Sequence, residues 1–113
     1  AHLDNFKVFN YQVENHAFNE AWYKRIAQAL TSTQTATEIN AGLYYRYPVK
    51  EMCPGPRFLQ TLLNHGVAFT VSSDAHFPDD LGKYTFANTE LLRSNGVQSV
   101  VAFEQRVKKR IDI

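Results

Sequence analysis

Two joins in this chain carry nearly the same punctuation, Asn64-His65-Gly66-Val67 and Asn95-Gly96-Val97: a helix end, a glycine, then a valine that opens an apolar run. Gly66 and Gly96 stand 30 positions apart. A strand–helix–strand unit takes about 30 residues, so the spacing predicts successive βαβ units with parallel strands. One repeat before Val67 lies Ala36, and Ala36 to Asn40 reads as a short strand closed by Gly42. One repeat earlier, a strand would stand just before Ala1 and leave His2 at its carboxyl end. The expectation is therefore the last portion of a larger α/β protein. His2, Asn40 and His76 would share the carboxyl edge of its sheet, where α/β proteins build their sites.

The remaining elements come from periodicity. Phe18, Trp22, Ile26 and Leu30 fall at helical spacing, and this aromatic face is expected in the core, with Asn15 or Asn19 as the cap. Pro56 suits the first turn of a second helix whose apolar residues are Phe58, Leu59, Leu62 and Leu63, and Gly66 supplies its left-handed cap. A third helix is predicted over Phe86 to Arg93, and a last strand over Val97 to Phe103. The basic tail from Arg106 reads as a solvated edge. Leu43 to Gly55 is an aromatic, turn-rich loop, and a loop of that length inside a compact unit is more often functional than idle.

Chemistry concentrates where the apolar run Val67 to Val71 gives way to Ser72-Ser73-Asp74-Ala75-His76. In an extended segment Asp74 and His76 point to the same side and suit one ion or two adjacent ions. The competing reading is a strand and then an Asp-capped turn. On the preceding strand Glu38 and Asn40 share a face and Ile39 takes the other. His65, in a helix's last turn, is explained by the helix dipole, and His16 reads as a surface residue.

Composition narrows the function classes. No apolar run approaches the roughly 20 residues of a spanning helix. The formal charge of +1, with both signs interspersed, offers no broad field to a nucleic-acid backbone or an anionic membrane. Cys53 is the only cysteine, so there is no internal disulfide, and without a paired thiol or neighbouring base it reads as inert. No secretory signal pattern opens the sequence, and the expected location is cytoplasmic.

With His2-Leu3-Asp4, Glu38-Ile39-Asn40 and Ser73-Asp74-Ala75-His76-Phe77-Pro78-Asp79-Asp80-Leu81-Gly82 in view, the chain resembles the C-terminal part of the polymerase and histidinol phosphatase (PHP) superfamily. The histidinol-phosphate phosphatase branch is the nearest in pattern. The resemblance covers nearly all of residues 1–113 and implies the C-terminal units of a distorted seven-stranded, TIM-like (β/α) barrel. Its two or three divalent ions, zinc, iron or manganese, would lie at the carboxyl ends of the strands and assist hydrolysis of a phosphate monoester. By that resemblance His2, Asp74 and His76 match metal-ligand positions, and Asp74 also matches the group that takes the proton of the attacking water. Arg46 resembles the arginine that grips the substrate phosphate, although Leu43-Tyr44-Tyr45 fills the interval before it. Lys7 is a weaker candidate for the same work. Glu38 and Asn40 either contact substrate or brace the barrel, and Asp4 supports the ligands from behind.

The family's opening His-x-His pair, a further His and a Glu have no counterpart here, so the segment alone is expected to be inactive. The implied partners are a small phosphorylated substrate and the N-terminal part of the barrel, on the same chain or a separate one, with no membrane and no long nucleic acid. Two alternatives stay open: a PHP phosphoesterase acting on nucleotides or nucleic acid, and a non-catalytic fragment or partner subunit.

Overall fold

The computed structural model describes residues 2–9, 11, 16–49 and 51–113. The element order is a 3-10 turn at Asn5–Phe9, α1 (His16–Ser32), β1 (Thr37–Asn40), α2 (Gly42–Arg46), α3 (Pro56–Asn64), β2 (Phe69–Ser72), a second 3-10 turn at Pro78–Asp80, α4 (Thr85–Ser94), β3 (Ser99–Glu104) and β4 (Val107–Asp112). Asn15, one of the two caps expected for α1, lies outside the described residues. No helix among the described residues is long and apolar enough to cross a membrane.

The predicted βαβ unit is present. β1 and β2 pair in parallel, with Thr37 opposite Phe69 and Asn40 opposite Ser72. α3 is the crossover, and it begins at Pro56 because a first-turn residue needs no amide hydrogen and benefits from a preset φ. It stops where His65 N–H reaches the Leu62 carbonyl and Gly66 turns left-handed at φ 67°. Ile39, Phe58, Leu62 and Phe69 are buried between sheet and helix.

The parallel expectation fails for the rest of the chain. β3 lies close to β2 but belongs to a separate two-stranded sheet, in which it pairs antiparallel with β4. The basic tail is thus a strand, exposed along its whole length. The reversal is a two-residue turn in which Gln105 (φ 50°) and Arg106 (φ 66°) both adopt positive φ. That is the geometry whose twist matches the flanking strands, and it is usually advertised by Asn-Gly or Asp-Gly. A Gln-Arg pair gives no such signal.

The buried face of α1 also differs from the expected one. Phe18 is 59% and Trp22 48% exposed, whereas Tyr23 and Ala27 are buried, flanked by the partly buried Ile26 and Leu30. The helix is oriented by the stacking of Tyr23 on Phe58 of α3, ring centroids 4.2 Å apart and planes 11° from parallel. Trp22 stands about 100° round the helix from Tyr23 and is carried to the flank.

α4 closes the other side through Leu92 and the fully buried Asn88. The Asn88 amide donates to the carbonyls of Ile39 (3.3 Å) and Ser72 (3.4 Å), one from each parallel strand.

These packing differences set an expectation. Leu62→Ala should lower unfolding free energy by about 2–5 kcal/mol through lost burial and a cavity. Phe18→Ala should cost about 1 kcal/mol or less. Urea denaturation of the two variants checks the order, and equal losses would contradict this assignment of the α1 face.

Candidate functional site

The two parallel strands end level, and the segments leaving them build one site. After β1, Ala41 N–H is bonded to the Ser72 carbonyl at 3.1 Å, and the Asn40 side-chain oxygen accepts the Gly42 amide at 2.7 Å to start α2. After β2 the chain leaves extended geometry. Asp74 has φ 54°, and its amide is held by Ser72 Oγ at 3.1 Å. Alternation of side chains along a strand therefore ends at Ser72. Asp tolerates the left-handed region better than most residues.

Four parts of the chain meet at the Asp74 carboxylate. His2 Nε2 lies 3.1 Å from Asp74 Oδ2, and His2 Nδ1 lies 3.1 Å from Glu38 Oε1 on β1. Arg46, from the end of α2, donates through Nη2 to Asp74 Oδ2 and through Nη1 to the Asp74 carbonyl at 2.8 Å. The same Nη1 contacts His76 Nδ1, which also stands 2.9 Å from the Asp74 carbonyl and 4.0 Å from Asp74 Oδ1. The Tyr45 hydroxyl donates to the Ser73 carbonyl at 3.0 Å and ties α2 to this turn.

Of the side chains singled out in the sequence, His2, Glu38, Arg46, Asp74 and His76 are brought together. Asn40 is fully buried with its oxygen committed to the Gly42 amide, which is a bracing position.

Burial alone would raise the Asp74 carboxyl. The hydrogen bond from His2 and the charge and hydrogen bond of Arg46 outweigh it and hold the group below the usual carboxylate range. Asp74 is thus an anion with three nitrogenous neighbours.

Geometry bears on a metal ion in two ways. Two ligands of one tetrahedral ion, each bonded at about 2.0–2.1 Å, stand roughly 3.3 Å apart. The 3.1 Å between His2 Nε2 and Asp74 Oδ2 is close to that spacing, and it is also an ordinary hydrogen-bond length. The Glu38 carboxylate stands at ion-pair distance from the far nitrogen of His2, on the side from which a carboxylate orients metal-binding histidines. The donor chemistry therefore fits a half-site made by His2 and Asp74. Among the described residues no three or more His, Cys, Asp or Glu side chains converge to hold an ion.

Several contributions depend on contacts that the sequence does not display. At Gly42 a Cβ would collide with Asp74 Oδ2 and fall 2.9 Å from Asp74 Cβ, so only glycine lets the turn after β2 approach α2 so closely. A second cluster pins the N-terminal segment. The buried Asp4 accepts the Gly55 amide at 2.8 Å and the Lys7 ammonium at 3.1 Å, and Lys7 also reaches Glu51 at 2.8 Å. Burial would lower Lys7, but Glu51 and Asp4 together hold it above its ordinary value. Its charge is engaged by these two carboxylates. Asp4 supports the site by anchoring the segment that carries His2.

Burial pushes the Cys53 thiol up to about 12, so it stays protonated and unreactive near neutrality. An apolar pocket of about 330 Å³, lined by Tyr44, Met52, Pro54, Leu59 and Leu91 among others, includes none of the site residues.

Neither a protein-family model nor a curated protein matches this chain.

The close approach at Gly42 can be tested directly. Gly42→Ala should force the Asp74 side chain aside and lower stability by about 1–3 kcal/mol, a typical overpacking cost. The amide resonances of Asp74 and His76 should shift with it. Unchanged stability and unchanged resonances would show that the approach is looser than described.

Proposed function

We propose that this chain supplies part of the active site of a metal-dependent phosphoesterase of PHP type, with a small phosphate monoester, histidinol phosphate first, as substrate. The observation that carries the reading is the His2 imidazole standing between two carboxylates, Asp74 and Glu38, at the carboxyl ends of two parallel strands. The parallel pair would be two strands of a seven-stranded barrel completed by an N-terminal part.

In this reading His2, Asp74 and His76 hold divalent ions, zinc, iron or manganese. Such ions, when bound, polarise the phosphoryl group and make the attacking water more acidic. The protein's own residues do the rest. Asp74, ionised and with its backbone amide donating to the Ser72 hydroxyl, would be the acceptor for that water's proton. Glu38 holds the ring orientation of His2. Arg46 carries a planar fork whose shape suits two phosphate oxygens. Asn40 keeps the β1–α2 corner in place, and Gly42 leaves room for the carboxylate.

A non-catalytic role is the second reading, and one observation favours it: among the described residues the donors make only half a metal site. Nucleotide or nucleic-acid substrates stay a lesser alternative, because a formal charge of +1 gives little attraction for a phosphate backbone.

Phosphate release from histidinol phosphate, with manganese or zinc, by the barrel that this chain completes is the deciding assay. Asp74→Asn should lower kcat by about 10²-fold or more. Folding stability should change by only about 1 kcal/mol, because the ion pairs lost are partly solvated. Undiminished turnover would remove Asp74 from the chemistry. Absence of turnover in the unaltered barrel would favour the non-catalytic reading.

A further inference from the structure

Arg46 is in an unexpected place for a phosphate contact. Its guanidinium is paired with the acid of the site, and its contacts take one of the two Asp74 carboxylate oxygens and one of the two His76 ring nitrogens. Asp74 Oδ2 already receives His2 Nε2 and Arg46 Nη2, and a carboxylate oxygen offers about two lone-pair directions. The ring nitrogen His76 Nδ1 is covered by Arg46 Nη1. A divalent ion that approaches Asp74 Oδ2 must therefore displace one of its two neighbours. His2 is a compatible co-ligand, whereas a guanidinium repels the incoming charge.

We infer that Arg46 is a displaceable internal counter-ion of Asp74: a divalent cation and the guanidinium compete for the same carboxylate oxygen, and cation binding frees Arg46 to take an anionic ligand. This rests on the metal reading of the site and adds to it an order of binding, cation before phosphate.

Three further observations fit the exchange. The Arg46 Nε–H is buried without a hydrogen-bond partner among the described residues, so the guanidinium is only partly satisfied where it stands. The guanidinium carbon stands 5.8 Å from the ring centres of both Tyr45 and Tyr47, two aromatic faces along which a planar cation slides without losing its contact. Tyr47 itself is 40% exposed, so this flank opens to solvent and to an arriving anion.

Competition and release have opposite consequences that one variant separates. Without the guanidinium, Asp74 is more available, and cation affinity rises. Without it, a phosphate group has lost its partner, and the coupling between cation and anion disappears. By reciprocity, whatever the cation does for phosphate affinity, phosphate does for cation affinity.

Binding of Mn²⁺ to the barrel that this chain completes, monitored through the EPR signal of the free ion with and without phenyl phosphate, tests the exchange. Arg46→Gln should bind Mn²⁺ about tenfold more tightly than the unaltered barrel, the scale of a hydrogen bond between charged groups. Phenyl phosphate should strengthen Mn²⁺ binding several-fold in the unaltered barrel and not in Arg46→Gln. Arg46→Lys, which keeps the charge but lacks the fork, should fall between them, and it carries the test should Arg46→Gln fail to fold by circular dichroism. Equal or weaker Mn²⁺ binding in the folded variants would overturn the exchange and leave the metal reading standing. Absence of Mn²⁺ binding in the unaltered barrel and in both variants would overturn the two together.

Discussion

The parallel ladder between β1 and β2 ends with Asn40 opposite Ser72, and both segments leave the sheet at the same level. Everything in the candidate site depends on that register. A slip of one residue would turn Glu38 to the opposite face and separate it from His2. Asn88 guards the register from α4, since its buried amide bonds one carbonyl from each strand and would lose one of them if the strands slid. Cys53 adds a second brace, exchanging backbone hydrogen bonds with Asn40 at 2.7 and 3.0 Å.

On that platform the electrostatics are organised by one anion. Asp74 is partly buried, which by itself disfavours charge, yet His2 and Arg46 reverse the balance. Its left-handed backbone aims the carboxylate at α2 and not along the strand direction. The missing side chain of Gly42 is what makes the approach sterically possible. Positive φ at a non-glycine residue costs free energy that the surrounding contacts must offset, and such residues gather at functional sites. Here the offset comes from the Ser72 hydroxyl, the Arg46 fork and the Tyr45 tether to the neighbouring carbonyl. A guanidinium that neutralises the site's carboxylate also removes an unpaired charge from a partly solvated pocket. The carboxylate is therefore not freely offered to cations.

How far the sequence could be read divides along physical lines. Repeated strand and helix lengths were visible because glycine and proline act locally: Gly66 does turn left-handed at the end of α3, and Pro56 does open it. Chain arithmetic puts His2, Asn40 and His76 at one edge, since residues at the carboxyl ends of parallel strands are neighbours whatever lies between, and Asp74 comes with the Asp-x-His pair, whereas Arg46 enters through the motif resemblance alone. What lay beyond reach depended on partners. The inward face of α1 is decided by Tyr23 finding Phe58, a contact that the expected stripe of Phe18 and Trp22 does not reveal. The β3–β4 hairpin hides behind Gln105 and Arg106, which adopt positive φ without the residues that usually signal it. The Asp4–Lys7–Glu51 cluster joins residues more than forty positions apart and leaves no local trace.

Binding of a divalent ion between His2 and Asp74, at the carboxyl ends of the parallel strands, is best probed by paramagnetic Mn²⁺ titration of the isotope-labelled protein. The amide signals of Gly42, Ser73, Asp74 and Ala75 should broaden first, while those of Lys108 to Arg110 on β4 stay sharp. Broadening that begins elsewhere, for example at the Glu104 or Asp80 carboxylates, or that spreads evenly over the acidic surface, would contradict a metal site at this strand edge.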